Sequence, residues 1–251
     1  MKYLDPLYGQ LDIDEKQLRL FQTEALTRLR DISLSVVPPQ AQSMGMITSR
    51  FEHSVGVGYL AQQLCQREEF AHLYPNLYLA SLFHDAGSPP FSHATEEILE
   101  DKLGKNHEEY VEQVLYQEDV SQAIKAFGGE LETVFSLIIG NMLPWSDLMN
   151  GTFDLDNLDN SLRFSLGAGI LKTSLYFPEE LLKAYGYRDN ALILDASYST
   201  EIQKWELCRR LMYRVLYSDE NLAPGSMLFR ALQLAYYAGD IEDSFFKLTD
   251  H

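Results

Sequence analysis

His84-Asp85-Ala86-Gly87-Ser88-Pro89-Pro90-Phe91-Ser92-His93 is the stretch that decides the fold of this 251-residue chain. It closes the apolar run Leu77-Tyr78-Leu79-Ala80-Ser81-Leu82-Phe83 and sets two imidazoles and a carboxylate at an abrupt helix end, marked by Gly87 and the Pro89-Pro90 pair. A neutral imidazole beside a carboxylate is a ready pair of ligands for a divalent metal, and His93 can face the same cleft across the turn. Taken alone, the same residues also fit a helix C-terminus with a capping His and a solvated Asp.

Composition bounds what surrounds this stretch. With 46% hydrophobic residues and 23% charged ones, the chain reads as a globular protein, expected as a single domain over 1–251. A formal net charge of -17 argues against nucleic acid as a partner, since such binding needs Lys and Arg to displace counterions, and against adsorption to an anionic membrane. A polyanionic substrate needs a local exception, namely a bound metal with a few pocket Arg or Lys residues. Cys65 and Cys208 lie far apart in helical patterns, which suits small core residues in a reducing compartment rather than a disulfide scaffold. The N-terminus has no apolar signal-like region and no uncharged run is long enough to span a bilayer, so the expected location is cytoplasmic.

Working outward, Arg50-Phe51-Glu52-His53 opens a helix whose Val57, Leu60, Ala61 and Leu64 share one buried face. His53 sits near that helix start, where a capping or satisfied polar role is the plainer account; a helix over 76–85 is its natural antiparallel neighbour. A helix over 91–103 carries His93 and Glu96 at i and i+3, on one face. The next begins near Asn106 with His107 in its first turn, where the helix dipole disfavours protonation. A surface ion pair and an N-terminal cap neighbour are the plain alternatives for these residues. Asp154, Asp156 and Asp159 form an acidic group without the glycine and terminal glutamate of an EF-hand, or the first turn of a helix.

The remaining chain is predominantly helical. A loop or small hairpin is expected around Asp5-Pro6-Leu7-Tyr8-Gly9, a helix over 23–32, an end to structure at Pro38-Pro39 and a polar loop over 40–49. Two or three amphipathic helices over 108–140 break at Gly128-Gly129, and Ala191-Leu192-Ile193-Leu194 gives the clearest strand signal of the second half. Helices over 199–217, 221–237 and 240–248 complete an all-α bundle of about ten helices with at most a small β-hairpin.

The ordered set Arg50-Phe51-Glu52-His53-Ser54-Val55-Gly56-Val57, His84-Asp85-Ala86-Gly87, Pro90-Phe91-Ser92-His93 and Asp154-Leu155-Asp156 resembles the HD superfamily of metal-dependent phosphohydrolases, and within it the deoxynucleoside triphosphate triphosphohydrolase branch. Asp5-Pro6-Leu7-Tyr8-Gly9, Leu29-Arg30 and Met212-Tyr213-Arg214 are similar to that branch in the same order. The resemblance implies an HD-domain helical bundle in which His53, His84, Asp85 and Asp156 bind a divalent metal. Two imidazoles and two carboxylates suit Mn, Fe, Co, Ni or Zn better than Mg, which prefers oxygen ligands. It further implies acid–base roles for His93, Glu96 and His107 and phosphate contacts for Arg50 and Arg214, where a guanidinium suits bidentate binding. The expected partner is a small-molecule phosphate substrate; homo-oligomerisation stays open.

Departures from the branch concern the substrate clamp. Ser88 stands where a histidine is usual, Asn157, Asn160 and Phe164 replace basic, aromatic or acidic residues after Asp156, and Ser218 stands where a histidine is frequent. His72 and His251 are too few to supply the further ligands of a di-iron oxygenase. Expected function is therefore phosphohydrolysis of a nucleotide or related phosphate ester, with a phosphomonoesterase on a small non-nucleotide metabolite, or a non-catalytic nucleotide-binding module, as the alternatives.

Overall fold

The computed structural model describes residues 1–35 and 48–251. Expectations for Pro38-Pro39 and most of the loop over 40–49 lie outside the described residues.

The chain opens with an antiparallel hairpin of β1 (Lys2–Asp5) and β2 (Gly9–Asp12), followed by α1 (Glu15–Phe21) and α2 (Glu24–Arg28). Asp5 makes the hairpin turn, its Oδ1 accepting the N–H groups of Leu7 and Tyr8. Next come α3 (Arg50–Leu64), α4 (Asn76–Phe83), α5 (Glu96–Leu103), α6 (His107–Leu115), α7 (Glu118–Phe127) and α8 (Leu131–Ile138). The short α9 (Asp147–Asn150) leads to α10 (Leu155–Gly167) and the one-turn α11 (Pro178–Leu181). A second hairpin, β3 (Tyr185–Arg188) with β4 (Ala191–Leu194), precedes α12 (Ser199–Leu216) and α13 (Asp219–Ala238).

The fold is thus the expected helical bundle, decorated by two hairpins instead of one. β3 pairs with the strand expected over 191–194, and Asp189 and Asn190 turn between them at φ of +52° and +60°. The helix expected over 91–103 is divided: a 3₁₀ turn at Ser92–Ala94 precedes α5. The terminal helix expected over 240–248 is a 3₁₀ turn, Asp243–Lys247.

α3 is the axis of this bundle. Ser49 starts it with a capping box, its Oγ accepting the Glu52 N–H while Glu52 Oε2 accepts the Ser49 N–H, so Arg50 and His53 fall in the first turn. The expected single apolar face proves incomplete, because α3 is buried on nearly every side. Phe51 and Val55 pack into one hydrophobic cluster with α1, α2 and α4–α8, whereas Val57, Leu60, Ala61 and Leu64 pack into a second with α10–α12. α4, apolar all round, is wedged beside it and is likewise buried throughout. Two close approaches depend on glycine. A Cβ on Gly56 would lie 2.1 Å from Asp159 Oδ2, and one on Gly87 would lie 2.2 Å from the His107 carbonyl oxygen. These glycines let α10 and the start of α6 come in against α3 and the His84–Asp85 turn.

Candidate metal centre

Four side chains meet where α3, the end of α4 and the start of α10 converge. His53 Nε2 lies 2.9 Å from Asp156 Oδ1 and 3.3 Å from His84 Nε2. Asp85 Oδ2 lies 3.6 Å from His84 Nε2 and 3.9 Å from His53 Nε2. They line a cavity of about 180 Å³ together with Arg50, His93, His107 and Glu108.

The residues behind the ligands fix which nitrogen faces the cavity. His84 Nδ1 donates to the Ser81 carbonyl at 2.8 Å, which the last turn of α4 presents. His53 Nδ1 donates to Asp159 Oδ1 at 2.7 Å. Both rings therefore turn Nε2 inward, the arrangement in which a second polar group orients a metal-ligating imidazole. Asp159 is itself fully buried, gripped by Arg163 Nε and Nη2 at 2.8 Å each and by the Tyr8 hydroxyl at 2.8 Å. Asp5 adds a second carboxylate to Arg163 at 3.1 Å, so the hairpin turn that positions Tyr8 also closes this network.

Electrostatics follow from that packing. Burial resists protonation of His53, but hydrogen bonds to Asp156 and Asp159 outweigh it and push the imidazole up to about 10. Burial likewise opposes the Asp85 charge, yet Arg50 and the His84 and His53 rings hold its carboxyl well below the usual range. Arg50 Nη1 bonds Asp85 Oδ1. Asp85 Oδ2, by contrast, is buried without a hydrogen-bond partner among the described residues, which is costly for a carboxylate oxygen unless a cation completes its surroundings. The donor set and this orphaned oxygen both fit a divalent metal held by His53, His84, Asp85 and Asp156. His53, His84 and Asp156 have ligand atoms within 4.8 Å of one another.

His93, Glu96 and His107 form a second group at the cavity mouth. Glu96 takes both Nδ1 atoms, His93 at 2.7 Å on Oε2 and His107 on Oε1. Burial works against the Glu96 charge, but the two imidazoles hold its carboxyl well below the usual range. His107 is raised, since Glu96 outweighs its burial. His93 Nε2 faces Arg50 Nη2 at 3.4 Å, linking the two groups. These three residues also lie close enough to hold a cation of their own.

Other sequence expectations are redistributed. Arg214 is exposed on α12 and lines neither this cavity nor the larger one beside it. The side chain points away because Met212, two residues earlier, takes the buried face of α12. Ser88 sits behind the cavity, its Oγ 3.4 Å from Asp85 Oδ1, and Asn157 turns its amide to Asp154 Oδ2 at 3.1 Å. Ser218 is the N-cap residue of α13 and lies outside both cavities. Of the departures named above, only Asn160 and Phe164 reach a cavity wall. Sequence reasoning takes Asp159 as one of several acids, gives Tyr8 no role of its own within Asp5-Pro6-Leu7-Tyr8-Gly9, and does not reach Glu108. Arg163 four residues after Asp159 was the one available signal, since that spacing makes an ion pair on one helix face.

The model of a known family matches this constellation: the HD domain, over residues 50–187, more than half of the chain. The chain belongs to the HD domain family. An uncharacterized protein of Mycoplasma pneumoniae is 26% identical over 245 residues, covering 86% of this chain and 56% of the relative. A deoxynucleoside triphosphate triphosphohydrolase homologue of Dictyostelium discoideum is 34% identical over 114 residues, 40% of this chain and 21% of its own. The chain spans about half the length, or less, of these curated relatives. A crystal structure of a phosphohydrolase from Bacteroides thetaiotaomicron superposes with a TM-score of 0.74 at 24% identity, covering 100% of this chain and 64% of that one, a likeness of fold. In this HD domain no helix among the described residues is long and apolar enough to cross a membrane.

Proposed function

We propose that the chain is a metal-dependent phosphohydrolase acting on a nucleotide or related phosphate ester. The observation that carries this is the buried Asp85 Oδ2, without a hydrogen-bond partner among the described residues, beside two inward-facing imidazole nitrogens. We also read residues 1–251 as one domain, because α3 contributes to both hydrophobic clusters.

A divalent cation bound by His53, His84, Asp85 and Asp156 would lower the pKa of a water and neutralise charge on phosphoryl oxygens. Arg50, held by Asp85 and by Ser92 Oγ at 2.8 Å, orients the phosphoryl group from the side. His93 carries the proton between water and leaving oxygen, with Glu96 fixing its ring and His107 sharing the charge. Glu96 already accepts from both rings, which favours this proton-handling role over a second cation. The 34% match to a triphosphohydrolase homologue supports a nucleotide substrate, although it covers 40% of the chain.

The test joins metal analysis to turnover across a panel of nucleotides and aryl phosphates. Metal-loaded protein is expected to hydrolyse at least one, and His84→Ala with Asp85→Ala to abolish both metal binding and turnover. No turnover by protein with metal confirmed bound would leave a non-catalytic nucleotide-binding module as the function.

A further inference from the structure

The metal cavity adjoins a larger one of about 550 Å³, a size typical of small-molecule sites. The two share Leu34, His93 and Asn160 as lining residues, so whatever leaves the phosphorus at His93 passes directly into the larger space. Its walls are Phe164, Met212, Leu216 and Phe229, with Tyr213 and Tyr217 stacked at 5.7 Å along the outer turns of α12.

Charge is what distinguishes this space. Among the described residues no Lys, Arg, Asp or Glu lines it, and His93 and the two tyrosines are its only ionisable side chains. Among the described residues Arg50 is the single guanidinium or ammonium lining either cavity, and its three nitrogens are already engaged by Ser92, Asp85 and His93. Residues 36–47, which follow the lining residues Leu34 and Ser35, contain no lysine or arginine in the sequence. A phosphate monoester brings a charge of about -1.5 to -2 at pH 7. That amount can be met by a divalent cation and Arg50, whereas each further phosphate would lie in a neutral, apolar cavity on a protein of net charge -17. The side-chain amide of Asn160, at the junction, has no hydrogen-bond partner among the described residues and offers the ester a neutral donor and acceptor where a cation would be needed for a polyphosphate.

We propose that the substrate is a phosphomonoester of an uncharged, mainly apolar, ring-sized alcohol, with the alcohol seated among Phe164, Met212, Leu216 and Phe229. This rests on the phosphohydrolase function proposed above and selects within it. Water forms the new P–O bond, the P–O bond to the alcohol breaks, and its electron pair leaves on the alcohol oxygen. The proton lost by the water reaches that oxygen through His93, giving the neutral alcohol and inorganic phosphate.

The full chain loaded with manganese is assayed on 1-naphthyl phosphate, glucose 6-phosphate and deoxyadenosine triphosphate. The expected kcat/KM for 1-naphthyl phosphate exceeds both others by about tenfold or more, the discrimination an apolar pocket can supply. Equal or faster turnover of either of the others overturns the proposal while leaving the hydrolase function standing. If none is turned over, the hydrolase function fails, and calorimetry decides the pocket separately. Binding of 1-naphthylphosphonate without binding of inorganic tripolyphosphate sustains the apolar-monoester site; the reverse, or binding of neither, overturns it. Leu216→Arg is expected to raise KM for 1-naphthyl phosphate about tenfold, with Leu222→Arg on the exposed rim acting in the same direction if the first variant does not fold. An unchanged KM in the folded variant speaks against the assignment.

Discussion

The two walls of the metal cavity are built on opposite plans. On the α3–α10 side, His53, Asp159, Arg163 and Asp5 are all but excluded from solvent, and every ring or carboxylate is set by another buried group. Opposite, His93 is 47% exposed and sits on a 3₁₀ turn, tied to the rest through Glu96 and Arg50. The buried wall has two carboxylates for one guanidinium, so it makes His53 a stronger base and suits the fixed geometry of metal ligation. The open wall keeps His93 where water can reach it, which suits a group that must gain and lose a proton in each cycle.

Asp159→Ala should break the buried wall most severely. It strips Arg163 of its main partner and frees His53 to rotate, so a loss of about 3–5 kcal/mol is expected in denaturant unfolding. Affinity for the metal should fall about 10- to 100-fold by calorimetry, as for other lost supports of a ligating histidine. Unaltered metal affinity in a folded variant would contradict the role assigned to Asp159.

Glu96→Gln is the matching change in the open wall, and its signature should be inverted. Turnover is expected to drop about 100-fold, the usual scale for a positioned proton-transfer group, with metal affinity unchanged. Its effect on stability should follow pH. Glu96 is depressed, so its stabilisation is present above its ordinary 4.5 and lost as pH falls through its lowered value. His107 is raised, so its share is complete below its ordinary 6.5 and lost as pH climbs through its raised value. The stability gap between wild type and Glu96→Gln should therefore be widest between pH 4.5 and 6.5 and narrow on either side; a gap that is flat across this range would rule the pair out as its source.

Gly56→Ala tests whether the contact between α3 and α10 is as close as it must be. The added methyl would stand 2.1 Å from Asp159 Oδ2 and 2.4 Å from Arg163 Nη2, neither of which can retreat from its partners. A destabilisation of about 1–3 kcal/mol is expected, with a smaller loss of metal affinity than in Asp159→Ala. A variant as stable as wild type would mean that α10 can shift without cost.

What the sequence made legible divides along the same line. Helix periods and the helix starts at Arg50 and near Asn106 led to the helical fold, and the resemblance carried by the ordered motifs led to His53, His84, Asp85 and Asp156, which do converge. His93 and Glu96 were readable as a pair from their i, i+3 spacing, and the resemblance alone joined His107 to them. Long-range support was hidden. Nothing local in Asp5-Pro6-Leu7-Tyr8 announces that its turn will reach a residue 151 positions away. The fate of Arg214, Ser88 and Asn157 was equally closed, since a helix period says which residues share a face but not which face meets the cavity.

The smallest expected effect concerns the turn that carries the open wall. Phe91 and Ser92 hold φ of +62° and +52°, a left-handed conformation that costs a non-glycine residue on the order of 1 kcal/mol or more. Asp250 restrains that turn from the far end of the chain, its Oδ1 accepting the Phe91 N–H at 2.7 Å and its Oδ2 the Ser33 N–H at 2.8 Å. Asp250→Ala removes both bonds and should cost about 1 kcal/mol of stability. Because His93 follows directly, the turn can relax and carry the imidazole away from Arg50, so kcat should fall a few-fold while metal affinity and KM stay near wild type. A parallel loss of metal affinity would mean that the turn supports the ligands as well, and that the two walls are mechanically one.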